Sequence, residues 1–211
     1  KYNEDLFKKV TTLSDGKNHG LIFILDWSGS MSNVMLDTIK QLYNILWFCK
    51  KVNITFEVYA FTNEWNGTSY DENDNIVMPT PHYEKKENLL TVCDTFGMMN
   101  LLTSRVPGKV LEQQLLNIFR VAFQFKKYVE YPVLNRMGLS GTPLNESLIA
   151  LHQIIPMFQA QNKLQKVQCV VLTDGEAAPV NRHVEAPRRY NDDETYIGTR
   201  RLNSNCYIRD R

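Results

Sequence analysis

The stretch Leu21-Ile22-Phe23-Ile24-Leu25-Asp26-Trp27-Ser28-Gly29-Ser30-Met31 decides how the chain is read. Five consecutive apolar residues, rich in branched side chains, suit a central strand of a parallel sheet buried on both faces. The run stops at Asp26. A Ser-Gly-Ser turn follows, in which Gly29 permits the chain to turn closely between two serines. Beyond it, Met35, Ile39, Leu42, Leu46 and Cys49 recur at helical spacing and predict a helix over 33–50. A second strand is expected over Ile54–Phe61, where Ile54, Phe56, Val58 and Ala60 alternate with Thr55, Glu57 and Tyr59.

Residues 62–90 change character, rich in Asn, Asp, Glu, Gly and Pro with Trp65 and Tyr70 among them, and read as a long insertion that could hold a short hairpin. A polar helix is expected over 86–96. A stronger one is expected over Val110–Lys127, with Leu111, Leu115, Ile118, Ala122 and Phe125 on one stripe. Gly138-Leu139-Ser140-Gly141-Thr142-Pro143 reads as a tight loop into a helix over 143–155, with Thr142 as N-cap and Pro143 as first helical residue. Pro156 is expected to end or kink that helix. The next strand, Val167–Thr173, is again apolar and stops at Asp174-Gly175.

This order predicts an α/β fold: a Rossmann-like, doubly wound, mostly parallel sheet flanked by helices, with an insertion around 62–100. Residues 1–17 form a polar lead-in with a short helix expected at Glu4–Val10. Residues 18–178 form the domain, and 179–211 a polar, Arg-rich segment. A doubly wound domain would add a further strand and helix there. Cys206-Tyr207-Ile208 is the candidate short strand, and the C-terminal part is read as incomplete, the start of the last strands.

Composition bounds the rest. At 211 residues the chain suits one large domain, and 43% hydrophobic with 22% charged residues is ordinary for a globular protein. A net charge of +1 gives no bulk attraction to nucleic acid or membrane, and no apolar run approaches the roughly 20 residues of a membrane helix. The four cysteines, Cys49, Cys93, Cys169 and Cys206, form no CxxC pair; Cys49 and Cys169 lie in apolar patterns and read as buried free thiols, which suits a reducing compartment. Trp47, Phe119, Phe123 and Phe125 stand at helical spacings and read as core.

Two predicted strands thus end in aspartate, Asp26 and Asp174. Open parallel sheets bind ligands outside the carboxyl ends of their strands, so neighbouring strands would bring both carboxylates to one crevice. Ser28 and Ser30 skip one residue and can point the same way, and Thr142 opens the following helix. Each has an ordinary reading alone: turn-forming serines, a helix cap, an Asp-Gly turn. Together they offer three hydroxyls and two carboxylates, an all-oxygen set suited to a hard cation such as Mg²⁺ (or Mn²⁺ or Ca²⁺), with no His or Cys beside it to favour zinc.

Asp26-Trp27-Ser28-Gly29-Ser30-Met31, Gly141-Thr142-Pro143-Leu144 and Thr173-Asp174-Gly175 resemble, in that order, the DxSxS, Thr and Asp elements of the von Willebrand factor A (vWA) domain and its metal-ion-dependent adhesion site (MIDAS). The resemblance spans roughly 18–178. It implies that Ser28, Ser30 and Thr142 touch the metal, that Asp26 and Asp174 act through water or through the hydroxyls, and that one coordination position stays open for an acidic residue of a protein partner. Leu139-Ser140-Gly141-Thr142-Pro143-Leu144-Asn145-Glu146 and the Asp26–Met31 loop further resemble the A domain of the CobT-type subunits of aerobic cobaltochelatases, including phage-encoded versions. That implies a non-catalytic subunit in an oligomeric assembly with a MoxR-type AAA+ ATPase, in cobalamin biosynthesis. The long 62–141 connection departs from the shortest A domains and is where partner-specific contacts would lie.

Enzyme readings fare worse. The second aspartate of haloacid-dehalogenase phosphatases is replaced by Ser28, there is no GxxxxGK[ST] phosphate loop, and Gly138-Leu139-Ser140-Gly141 is one residue short of GxSxG. His19, His82, His152 and His183 are scattered without ligand spacing. The Arg-rich segment carries many acids and no recognisable nucleic-acid fold, so nucleic acid is not an expected partner. Asn66-Gly67-Thr68 matches a glycosylation sequon but has no secretory signal beside it. The expected location is the cytoplasm, that of the host if the chain is phage-encoded. The alternative is an adhesion or virion-surface module that binds an external protein through the same metal site.

Overall fold

A computed structural model describes residues 18–64, 69–73, 76–77, 85–93, 95–127, 137–188 and 191–202. The expected helix at Glu4–Val10, the Asn66–Thr68 sequon and the candidate strand at Cys206–Ile208 lie outside these residues.

The apolar run forms β1 (His19–Asp26), whose Ile22, Ile24 and Leu25 are fully buried. A short 3-10 turn (Gly29–Asn33) leads into α1 (Met35–Lys51), and β2 (Thr55–Thr62) returns parallel to β1. The insertion holds two short strands, β3 (Ser69–Tyr70) and β4 (Ile76–Val77), paired antiparallel, and then β5 (Leu90–Thr91). Next come β6 (Gly97–Thr103), α2 (Gly108–Lys127), α3 (Leu144–Asn162), β7 (Lys166–Leu172), β8 (Asn181–Arg188) and β9 (Asn191–Arg201). The main sheet has the order β6-β2-β1-β7. Its two pairings with β1 are parallel and the β2–β6 pairing is antiparallel. The fold is therefore α/β, a mixed sheet of mostly parallel strands flanked by helices, compatible with a Rossmann-like arrangement.

Alternation along β1 and β2 makes two cores. Phe23, Leu25, Phe56, Val58 and Ala60 face α1 and α2, while Ile22, Ile24 and Phe61 face α3 through Leu151 and Phe158. Trp27, buried just past β1, donates its indole N–H to the Met137 carbonyl at 2.8 Å and meets Phe125 edge-on, with ring centroids 5.8 Å apart.

Several expectations are corrected. No helix covers 86–96: the left-handed Asn88 (φ 67°) interrupts the chain, β5 pairs with β8, and the Met98–Leu102 run joins the sheet as the antiparallel edge strand β6. Pro156 does not end α3. It lies on the exposed side of the helix, where water can take the carbonyl its missing N–H leaves. The helix ends instead at the left-handed Lys163 (φ 52°). Thr142 is not the N-cap; Pro143 holds that position and its carbonyl accepts from Ser147 N.

Trp47, Phe119 and Phe123 are not core but 37–41% exposed, because the sheet covers only one side of α1 and α2. Cys49 is buried and free, and burial pushes its thiol above the usual range, whereas Cys169 is exposed on β7, an edge strand among the described residues. The segment after residue 178 folds as the β8–β9 hairpin, which joins β5 in a three-stranded sheet of its own.

Candidate metal centre

β1 and β7 are neighbours, in register from His19–Lys166 to Leu25–Leu172. Their carboxyl ends therefore deliver Asp26 and Asp174 to one crevice, as the sheet logic requires. Thr173 lies between the end of β7 and Asp174, and its hydroxyl donates to Asp26 Oδ2 at 2.5 Å. On the other side, Ser30 Oγ donates to Asp174 Oδ1 at 2.8 Å and lies 3.1 Å from Ser28 Oγ. Three of the five candidates, Ser28, Ser30 and Asp174, are thus joined by short contacts, and Asp26 is tied to Thr173, the chain neighbour of Asp174, a link that sequence reasoning missed. A Thr next to a strand-ending Asp was the available signal.

Thr142 arrives on the 137–143 loop. That loop docks as a short parallel ladder on the Asp26–Ser30 turn: Gly29 N donates to Ser140 O at 2.8 Å, and Ser140 N to Trp27 O at 3.2 Å. From the end of β2, Asn63 Oδ1 accepts from Gly141 N at 2.7 Å and Glu64 Oε2 from Gly138 N at 2.8 Å. A Cβ on Gly141 would stand 2.9 Å from Asn63 Oδ1, so a larger residue there would displace the Asn63 amide from its bond to Gly141 N. Asn63 and Glu64 were not singled out in the sequence, since polar residues after a strand carry no signal until their partners are known. Beyond Thr142, Ala178 N donates to the Thr142 carbonyl at 3.3 Å, and Asn145 Nδ2 to the Ala178 carbonyl at 2.7 Å. A Cβ on Gly175 would lie 3.7 Å from Thr142 Oγ1, which sets that hydroxyl beside the Asp174-Gly175 turn. Among the described residues Thr142 Oγ1 makes no hydrogen bond to the other four.

The electrostatics centre on Asp26. It is fully buried, Ser28 is 2% exposed, and Asp26 Oδ1 has no hydrogen-bond partner among the described residues. A buried carboxylate oxygen left without a donor costs about 1–3 kcal/mol, more when charged. A divalent cation, or water held by one, offsets that cost, and two carboxylates with three hydroxyls fit the oxygen preference of Mg²⁺, Mn²⁺ or Ca²⁺. Among the described residues no group of three or more His, Cys, Asp and Glu side chains is placed to hold a metal; this set has two carboxylates, and hydroxyls supply the remainder.

No family model, curated protein or solved structure matches the chain. Among the described residues no helix is long and apolar enough to cross a membrane.

Proposed function

We propose that this chain is a divalent-cation-dependent protein-binding module of the vWA type, without catalysis of its own. Ser28, Ser30 and Thr142 would hold Mg²⁺ directly. Asp26 and Asp174 would act through water or through the hydroxyls they already contact. The observation that carries this is the unpartnered, buried Asp26 Oδ1 where β1 and β7 end together. Because the carboxylates would sit behind the hydroxyls, the metal keeps an attraction for an external anion, and a partner's Asp or Glu fills the open position.

The motif resemblance extends the proposal to context. The chain is a CobT-like subunit, cytoplasmic and part of a larger assembly, whose metal site docks on a MoxR-type AAA+ ATPase. Any cobalt or corrin chemistry belongs to another subunit.

The test is direct. Mn²⁺ binding followed by electron paramagnetic resonance is expected for wild type, with Mg²⁺ competing. Asp26→Ala should weaken it by roughly 100-fold. Equal binding by both proteins would remove the metal site. Partner capture that is the same with and without Mg²⁺ would remove metal-gated docking.

A further inference from the structure

The β8–β9 hairpin leaves the candidate metal centre directly. Ala178, hydrogen-bonded to the Thr142 carbonyl, precedes Arg182 by four residues, a reach of at most about 14 Å. In the β8–β9 register Arg182 stands directly opposite Arg200, on one rung with Leu90 of β5. Two guanidinium groups facing each other across an antiparallel pair destabilise the sheet. Asn88 Oδ1 accepts from Arg182 Nη1 and holds one of them. Arg200 is exposed.

The faces of the hairpin differ. His183, opposite Thr199 on β9, is 1% exposed, but Glu185, Thr199 and Arg201 on the same face are exposed. Arg182 and Arg200 share the opposite face, while Arg201, opposite Asn181, alternates onto the His183 side. Among residues 181–186 and 196–202, whose side chains are described, the one acid is Glu185, and it lies on the His183 side as well. The Arg182–Arg200 face at the base of the hairpin therefore carries two cations and, among the residues whose side chains are described, no acid, a few residues along the chain from the candidate metal centre.

We infer that Arg182 and Arg200 form, with the metal centre, one composite surface for an acidic segment of a protein partner. This rests on the metal-dependent reading above and names its partner's chemistry. One carboxylate fills the metal's open position. Carboxylates a few residues along the same extended segment reach the arginine rung, since an extended chain advances about 3.3 Å per residue. The bound acids also relieve the repulsion between the two guanidinium groups.

The test uses the full chain and a fluorescein-labelled peptide of alternating glutamate and glycine, followed by anisotropy in Mg²⁺ at low ionic strength, with Mn²⁺ binding measured in parallel. Wild type is expected to bind the peptide, and Arg200→Gln to bind it about tenfold more weakly, with a shallower salt dependence and unchanged Mn²⁺ affinity. Arg201→Gln, the same charge loss on the other face, should stay within about twofold of wild type. If Arg201→Gln weakens binding as much as Arg200→Gln, the effect is bulk charge and the composite surface is wrong. It is equally wrong if wild type ignores the peptide, or if Arg200→Gln binds like wild type. Loss of Mn²⁺ binding by wild type would instead overturn the metal site itself. Peptide binding that persists unchanged in chelator would separate the arginines from the metal and overturn the composite.

Discussion

Asp26 and Glu57 are carboxylates on neighbouring strands, 0% and 2% exposed, and the protein treats them in opposite ways. Glu57 lies opposite Ile22, four residues before the level of Asp26, so roughly 13 Å separates the two along the sheet. Both Glu57 oxygens are occupied. Oε1 accepts from Arg105 Nη2 at 2.5 Å and from Thr103 Oγ1 at 3.4 Å, and Oε2 accepts from the Tyr59 hydroxyl at 2.5 Å. Arg105 also donates to Gln161 on α3 at 2.8 Å, tying the edge strand to the helix. Among the described residues Asp26 has Thr173 on one oxygen and nothing on the other. A buried charge with its own guanidinium is a structural tie. One with a single hydroxyl partner lacks that compensation among the described residues.

The largest effect expected from this contrast is at the Glu57 end. Arg105→Leu leaves a buried carboxylate with only hydroxyl partners and should cost about 3 kcal/mol in urea denaturation. A loss below about 1 kcal/mol would mean that the Glu57 network is not the tie described. Mg²⁺ at a hundredfold excess over its dissociation constant should add about 2.7 kcal/mol to wild type, seen as a shift of the melting temperature. Asp26→Asn should gain nothing from Mg²⁺. In metal-free buffer the same substitution should change stability by less than about 1 kcal/mol, or raise it, because it removes an uncompensated charge. A destabilisation as large as that of Arg105→Leu would make Asp26 a structural carboxylate like Glu57 and erase the comparison.

Asn63→Ala falls below these. It removes the acceptor from Gly141 N and should cost about 1 kcal/mol. Because it loosens the loop that brings Thr142, it should also weaken Mn²⁺ binding by roughly tenfold, whereas Asn63→Asp, which keeps the acceptor, should restore it. Equal Mn²⁺ affinity in Asn63→Ala would leave the loop held by the Ser140 ladder alone.

What the sequence made legible follows from how local each signal is. β1 and the strand that returns from α1 are visible because burial on both faces leaves an unbroken apolar run or a clear alternation. The four residues Asp26, Ser28, Ser30 and Asp174 are visible because short motifs at strand ends keep their own spacing. The edge strand β6 was missed because Gly97-Met98-Met99-Asn100 carries neither signal, and its pairing with β2 supplies what its own propensity lacks. The β8–β9 hairpin was read only as a polar, Arg-rich segment because its cross-strand partners are up to 20 residues away and, among its described side chains, only His183 is deeply buried. Glu57 looked like the solvent side of an alternating strand. Its burial depends on Arg105, 48 residues later, and no window along the chain contains both.

The smallest expected effect concerns pH and again separates the two ends. Burial, reinforced by its hydrogen bond to Glu57, pushes the Tyr59 phenol up to about 12 from its usual value near 10. A raised folded-state value means that the folded chain keeps this proton after the unfolded chain has lost it. The contribution is therefore complete below about pH 10 and is lost as pH rises toward 12. Tyr59→Phe should cost about 1 kcal/mol at neutral pH, from the lost bond to Glu57, and should then lose less stability than wild type between about pH 9 and about pH 11. The difference between the two proteins is the measurement. Parallel losses would show that the Tyr59 hydroxyl is solvated despite its contact with Glu57. The Glu57 end would then be closed by Arg105 and Thr103, and the contrast with Asp26 would rest on the one guanidinium.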